Sequence, residues 1–82
     1  MAAYLPEVRS IIRGVLHDDG IDVTPDTRFD DLADWDSMDL IGVIVEVECG
    51  YNLTFEPADI EGLFTVGDLL EMISAKRALA VA

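Results

Sequence analysis

The stretch FDDLADWDSMDLIGVIVEVECGY, from Phe29 to Tyr51, decides the fold. From Met38 to Cys49 it is so rich in branched apolar residues that it reads at first as a strand. Its length and its start overrule that: the run exceeds an ordinary strand, and Asp36 and Ser37, both good helix N-cap residues, stand directly before it. On a helix, Leu40, Ile44, Val47 and Tyr51 share one side, while Asp39, Gly42, Glu46 and Cys49 line the opposite one. The spacing predicts a helix over Met38 to Cys49, ended by Gly50.

Upstream, Leu5, Val8, Ile12, Val15 and Leu16 recur at helical spacing and predict a helix from Ala3 to His17. Asp18-Asp19-Gly20 is its predicted stop, with glycine free to take the left-handed conformation. Gly20 to Trp35 is a long loop of turn and cap residues, yet Ile21, Val23, Phe29 and Leu32 recur within it, so it should pack down onto the helices. Downstream, Glu56-Pro57 suits the first turn of a short third helix ending near Leu63. Thr65-Val66-Gly67-Asp68 fits a capping box opening a fourth, whose buried face is Val66, Leu69, Leu70 and Ile73 and whose end carries Lys76 and Arg77. Ala78 to Ala82 are expected to fray. The predicted object is one all-α domain over residues 1–82, a four-helix bundle of three longer helices and one short one, with its long loop between helices one and two.

Charge and size bound the function. The 82 residues carry 17 acids against 5 Lys and Arg, a net charge of −12. No basic residue occurs between Arg28 and Lys76, an interval holding 12 of the acids. Such a chain is unsuited to nucleic acid or anionic lipid, which need basic patches, and suited to proteins with basic surfaces. A domain this short buries only roughly 60 % of its unfolded surface, so most of its apolar residues (51 % of the chain) are needed for one core and little room remains for an enclosed active site. Cys49 is the single cysteine and cannot close an internal disulfide, and Met1 to Pro6 lack a basic start and apolar core, so a cytoplasmic location is the expectation. The longest apolar run, Leu40 to Val45, is too short to span a bilayer, and a monomer is the default.

Catalytic and metal chemistry find no support in the residue list. A serine hydrolase needs a nucleophile elbow and a base, whereas the only histidine, His17, ends a different helix from the one Ser37 begins. A calcium loop counted from Asp34 would close on Val45, not a glutamate. Zinc ligands at a recognisable spacing and glycine-rich phosphate loops are missing. Neither a catalytic residue nor a metal site is expected.

Asp36-Ser37-Met38, placed after a structured loop and at the start of helix two, resembles the attachment motif of acyl and peptidyl carrier proteins. Phe29-Asp30-Asp31-Leu32 ahead of it, Gly50-Tyr51 after it, and Phe55-Glu56-Pro57 through Thr65-Val66-Gly67-Asp68-Leu69 extend the resemblance over nearly the whole chain. It implies that Ser37 receives 4'-phosphopantetheine from coenzyme A, by a separate magnesium-dependent phosphopantetheinyl transferase, and that the arm's thiol carries acyl or aminoacyl cargo as a thioester. The chain would then be a substrate of enzymes, not an enzyme. Its partners would be the transferase, a loading enzyme and downstream acyl-processing enzymes with basic docking surfaces. They would meet Asp36 and Asp39 beside the serine, an apolar strip of Met38 and Val45, and the outer positions Gly42, Glu46 and Cys49.

The physical fit of Ser37 stands apart from the resemblance. A hydroxyl at a helix start is exposed, and a phosphodiester formed there would face free amides and the positive end of the helix dipole. Departures from the fatty-acid pattern are specific: Gly42 and Cys49 stand where acids are usual, and Trp35 replaces a small residue, which looks more like a stand-alone carrier of a specialised pathway. A peptidyl carrier serving an adenylating enzyme is the alternative within the class, and an unmodified acidic interaction module the alternative outside it.

Overall fold

Pro6 lies in the first turn of helix α1 (Leu5–Leu16), where its missing N–H leaves no intrahelical bond unmade. The computed structural model describes residues 4–81, with side chains through Leu79; the predicted start of α1 at Ala3 falls outside that range. A single turn of 3-10 helix at Phe29–Asp31 interrupts the loop that follows, and α2 (Ser37–Tyr51), the short α3 (Pro57–Glu61) and α4 (Val66–Val81) complete an all-helical bundle. The four-helix architecture with its long first connection is the one predicted.

α1 ends at the predicted residue and α2 runs past its predicted end, but neither is stopped by the glycine expected. α1 stops at His17, which takes the left-handed conformation (φ 54°), and the amides of His17 and Asp18 close back onto the carbonyls of Gly14 and Arg13. α2 runs through Gly50 and stops at Asn52 (φ 56°), with the Leu53 amide on the Glu48 carbonyl at 3.0 Å. Both endings recycle orphan carbonyls through a left-handed residue, and no described glycine has positive φ. Asparagine tolerates that conformation; Gly20 and Gly50 simply stand at the wrong register to supply it.

The loop packs down as its apolar residues predict: Val23, Phe29 and Leu32 are buried. Arg9 and Arg13 of α1 hold it there, donating to the carbonyls of Val23 (3.1 Å) and Ile21 (2.8 Å). A second set of bonds ties the loop to the start of α4. Phe29 donates to Phe64 O at 3.0 Å, while Val66 and Gly67 donate to Thr27 O and Pro25 O, each at 2.8 Å. These loop carbonyls take amides that the first turn of α4 cannot pair within itself.

Val8 and Ile12 of α1, Val43 and Val47 of α2, and Leu69 and Ile73 of α4 are wholly buried and form the centre of the core. At one end of the bundle Arg77 lies over the rings of Tyr4 and Tyr51, which meet edge to face with centroids 5.5 Å apart. Lys76 pairs with Asp59 at 2.9 Å and covers the Phe55 ring. These two cations therefore tie α4 to its neighbours and do not mark its end: α4 continues through Val81, where residues 78–82 were expected to fray, because Ala78, Leu79 and Ala80 are strong helix formers. Ala82 lies outside the described residues.

Candidate functional site: the start of the second helix

The chain reaches α2 through Leu32, which is buried, and Asp34, which takes a left-handed conformation at φ 61°. Asp36 then lies in extended backbone as the N-cap, and its Oδ1 accepts from the Asp39 amide at 3.0 Å. Reciprocally, the Asp36 amide donates to Asp39 Oδ2 at 2.9 Å. The two acids flanking the serine thus close a capping box on themselves, each through one oxygen. Asp36 remains exposed and Asp39 half-buried, so their charge is still presented at the helix start.

Ser37 is the first residue of α2 and is exposed. The box consumes the amides of Asp36 and Asp39, and the Leu40 amide bonds the Asp36 carbonyl at 3.3 Å. Among the described residues, no protein acceptor takes the amides of Ser37 and Met38. They point outward from the positive end of a 15-residue helix, beside the hydroxyl. A phosphate ester on the Ser37 oxygen would fit that arrangement, since the residue is exposed and two unpaired amides and the helix dipole would stabilise the added charge. The other serines, Ser10 and Ser74, sit within α1 and α4.

Further along α2 the sidedness differs from the prediction. Ile44 and Val47 are buried and Leu40 and Tyr51 half-buried, as expected, but Val43 is wholly buried too, because α1 covers a second side of the helix. Gly42 lies toward that side. A Cβ added to it would meet the Val15 side chain at 3.5 Å, so a longer side chain there would pass over α1 instead of standing free on the outer face. What remains outward is a strip beginning beside the serine: Met38 (73 % exposed), Ile41 (43 %), Val45 (48 %) and the exposed Cys49, with Glu46 exposed along its edge.

Ile41 of this strip, and Phe64 and Glu48 outside it, carry roles that periodicity did not single out. Ile41 falls between Met38 and Val45 at helical spacing, and that angle alone would have found it. Phe64, 62 % exposed before α4, carries no periodic signal because it lies in a connection. Glu48 is turned to internal use, accepting from the Phe55 amide at 2.8 Å. No helix among the described residues is long and apolar enough to cross a membrane.

Comparison with known proteins bears on the chain as a whole. The family described as phosphopantetheine attachment site matches residues 6–73. An acyl carrier protein of Streptococcus pyogenes serotype M1 is 40 % identical over 74 residues, covering 90 % of this chain and 96 % of the relative. An acyl carrier protein of Thermotoga maritima is 33 % identical over 70 residues, covering 85 % and 86 %. Among solved structures, the solution structure of a holo acyl carrier protein from Geobacter metallireducens superimposes with a TM-score of 0.84 at 32 % identity, covering 94 % of this chain and 88 % of that one.

Proposed function

The chain belongs to the family of phosphopantetheine-bearing acyl carrier proteins, and from that premise we propose that Ser37 is the residue to which its 4'-phosphopantetheine is joined. One observation carries the assignment: Ser37 is exposed at the first position of α2, and the capping box leaves the adjacent Ser37 and Met38 amides unused. Asp36 and Asp39 fix the turn; Ser37 itself is spared from capping and keeps its hydroxyl for chemistry. Once attached, the arm supplies a terminal thiol that holds acyl cargo as a thioester.

On this reading the chain has no catalytic role and is the substrate of a phosphopantetheinyl transferase, a loading enzyme and downstream acyl-processing enzymes. Basic surfaces on those partners complement Asp36, Asp39 and Glu46, while Met38, Ile41 and Val45 offer apolar contact beside them. The carrier is a single domain working as a cytoplasmic monomer. Acyl cargo is favoured over aminoacyl because the relatives described above are acyl carrier proteins. Dedication to a specialised pathway rests on Trp35 and Cys49; Gly42 supports it less, since its side faces Val15.

Incubation with coenzyme A, magnesium and a broad-specificity transferase should add one arm, read by intact mass and mapped to Ser37. Ser37→Ala should block the addition and stay folded, because Asp36 and not Ser37 is the cap, and alanine is the best helix former. Arm addition to Ser37→Ala would move the assignment elsewhere. A wild type that accepts no arm would favour the unmodified acidic module.

A further inference from the structure

Trp35, two residues before Ser37, has a built environment that neither capping nor attachment accounts for. Its ring lies flat on Phe29, with centroids 5.2 Å apart and planes within 14°. Phe29 is a fixed platform: it is only 3 % exposed, and its amide donates to Phe64 O at 3.0 Å. Between the two rings the chain turns tightly. The Leu32 amide donates to Phe29 O (3.1 Å), the Trp35 amide to Leu32 O (3.2 Å), and Asp34 sits at φ 61°, the left-handed region that aspartate enters more readily than most residues other than glycine. Two backbone hydrogen bonds and the buried Leu32 hold the chain in that path, and the stacked ring closes it at the end nearest Ser37.

Immediately after the stack, Asp36 enters the capping box and Ser37 begins α2. A continuous line of contacts and backbone thus runs from the core at Phe29, through the Trp35 ring, to the hydroxyl. We infer that Trp35 is a positioning residue for the loading of Ser37: by stacking on Phe29 it fixes the approach to the capping box and presents the hydroxyl in one place to the transferase. The inference rests on the assignment of Ser37 as the attachment residue. In the loading step the Ser37 oxygen forms a bond to the phosphorus bearing pantetheine, and the pyrophosphate P–O bond of coenzyme A breaks. The hydroxyl proton passes to a base on the transferase, and adenosine 3',5'-bisphosphate leaves. Trp35 touches none of these atoms; it acts through the backbone of Asp36.

The test is steady-state arm transfer with the carrier as varied substrate, for wild type, Trp35→Ala and Trp35→Phe, each first shown to be helical at the assay temperature. A nucleophile left free to wander should lower kcat for Trp35→Ala by about ten- to a hundredfold. Its KM should stay within about threefold of wild type, because docking uses other residues. Trp35→Phe keeps a flat ring for Phe29 and should recover most of kcat. Hydrogen exchange at the Asp39 amide, which the box protects, should quicken in Trp35→Ala and return toward wild type in Trp35→Phe.

Unchanged kcat in Trp35→Ala would overturn the inference. So would a rise in KM with kcat intact, or a failure of Trp35→Phe to recover, since either makes the indole a contact of the transferase. These outcomes are separate from failure of the Ser37 assignment, which appears as an unloaded wild type or a loaded Ser37→Ala.

Discussion

Two glycines inside helices have opposite reasons to be there. At Gly42 an added Cβ would sit 3.5 Å from Val15 Cγ1, an ordinary contact, so alanine fits and the flexible residue is a local weakness of α2. Gly42→Ala should therefore stabilise the fold by about 1 kcal/mol, the helix-propensity difference, raising the thermal midpoint by roughly 4–8 °C. Gly67 meets a different neighbour. Its Cβ would come within 2.9 Å of the Pro25 carbonyl oxygen, the same oxygen that accepts its amide at 2.8 Å. Backbone cannot yield as a side-chain tip can, so Gly67→Ala should cost about 1–3 kcal/mol despite alanine's better propensity. Denaturant midpoints of the two variants measure both signs. Equal effects would mean that the approach of the loop to α4 is looser than the Pro25 contact implies.

At the scale of elements, that contact belongs to the capping of α4. Asp68 Oδ2 accepts from the amides of Thr65 and Phe64, and Thr65 Oγ1 accepts from the Asp68 amide, as the sequence Thr65-Val66-Gly67-Asp68 predicted. The Thr65 amide first, and the Phe64 amide with it, hold the Asp68 carboxyl below its usual range. A depressed folded-state pKa contributes stability above the unfolded value and loses it as pH falls through the folded one. The stability gap between wild type and Asp68→Ala should thus be constant from neutral pH down to about 5 and close below about 4. A gap that widens in acid would contradict the capping role, and Thr65→Ala should cost about 1–2 kcal/mol through the other half of the box. Caps of this kind are side-chain chemistry and could be read from the sequence, as could Ser37 at the start of α2. The left-handed endings at His17 and Asn52 could not, because their register follows from backbone closure and glycines nearby offered a false signal. The buried side of α2 was half legible for a similar reason. Periodicity names an apolar stripe, but α1 covers a second one, which buried Val43 and left Met38, Ile41 and Val45 outside. The ties from Thr27 and Pro25 to α4 are backbone to backbone and leave no residue signature except Gly67. Nor does spacing alone bring Trp35 onto Phe29.

For the whole molecule the deciding quantity is where the five cations are spent. Arg9 and Arg13 face loop carbonyls, the exposed Arg28 pairs with no acid among the described residues, Arg77 covers two tyrosine rings, and Lys76–Asp59 is the one ion pair among the described residues. Of the five, only Lys76 offsets an acid directly, and the interval from Asp30 to Glu71 has no cation of its own. The folded state must then repel itself more strongly than the expanded chain, in which like charges separate. Screening shortens from about 30 Å at 0.01 M to about 10 Å at 0.1 M ionic strength, the range of distances across a molecule this small. Salt should accordingly raise the thermal midpoint over that interval by several degrees, on the order of 1 kcal/mol, and magnesium should do so at lower concentration. Arm transfer should move the opposite way: if basic partner surfaces are drawn to the same acids, screening lowers kcat/KM while the carrier itself grows more stable. Opposite signs in one titration would separate the two roles of the charge. Melting insensitive to salt would show that the acids are spaced widely enough not to strain the fold, and salt-insensitive transfer would show that docking relies on the apolar strip from Met38 to Val45.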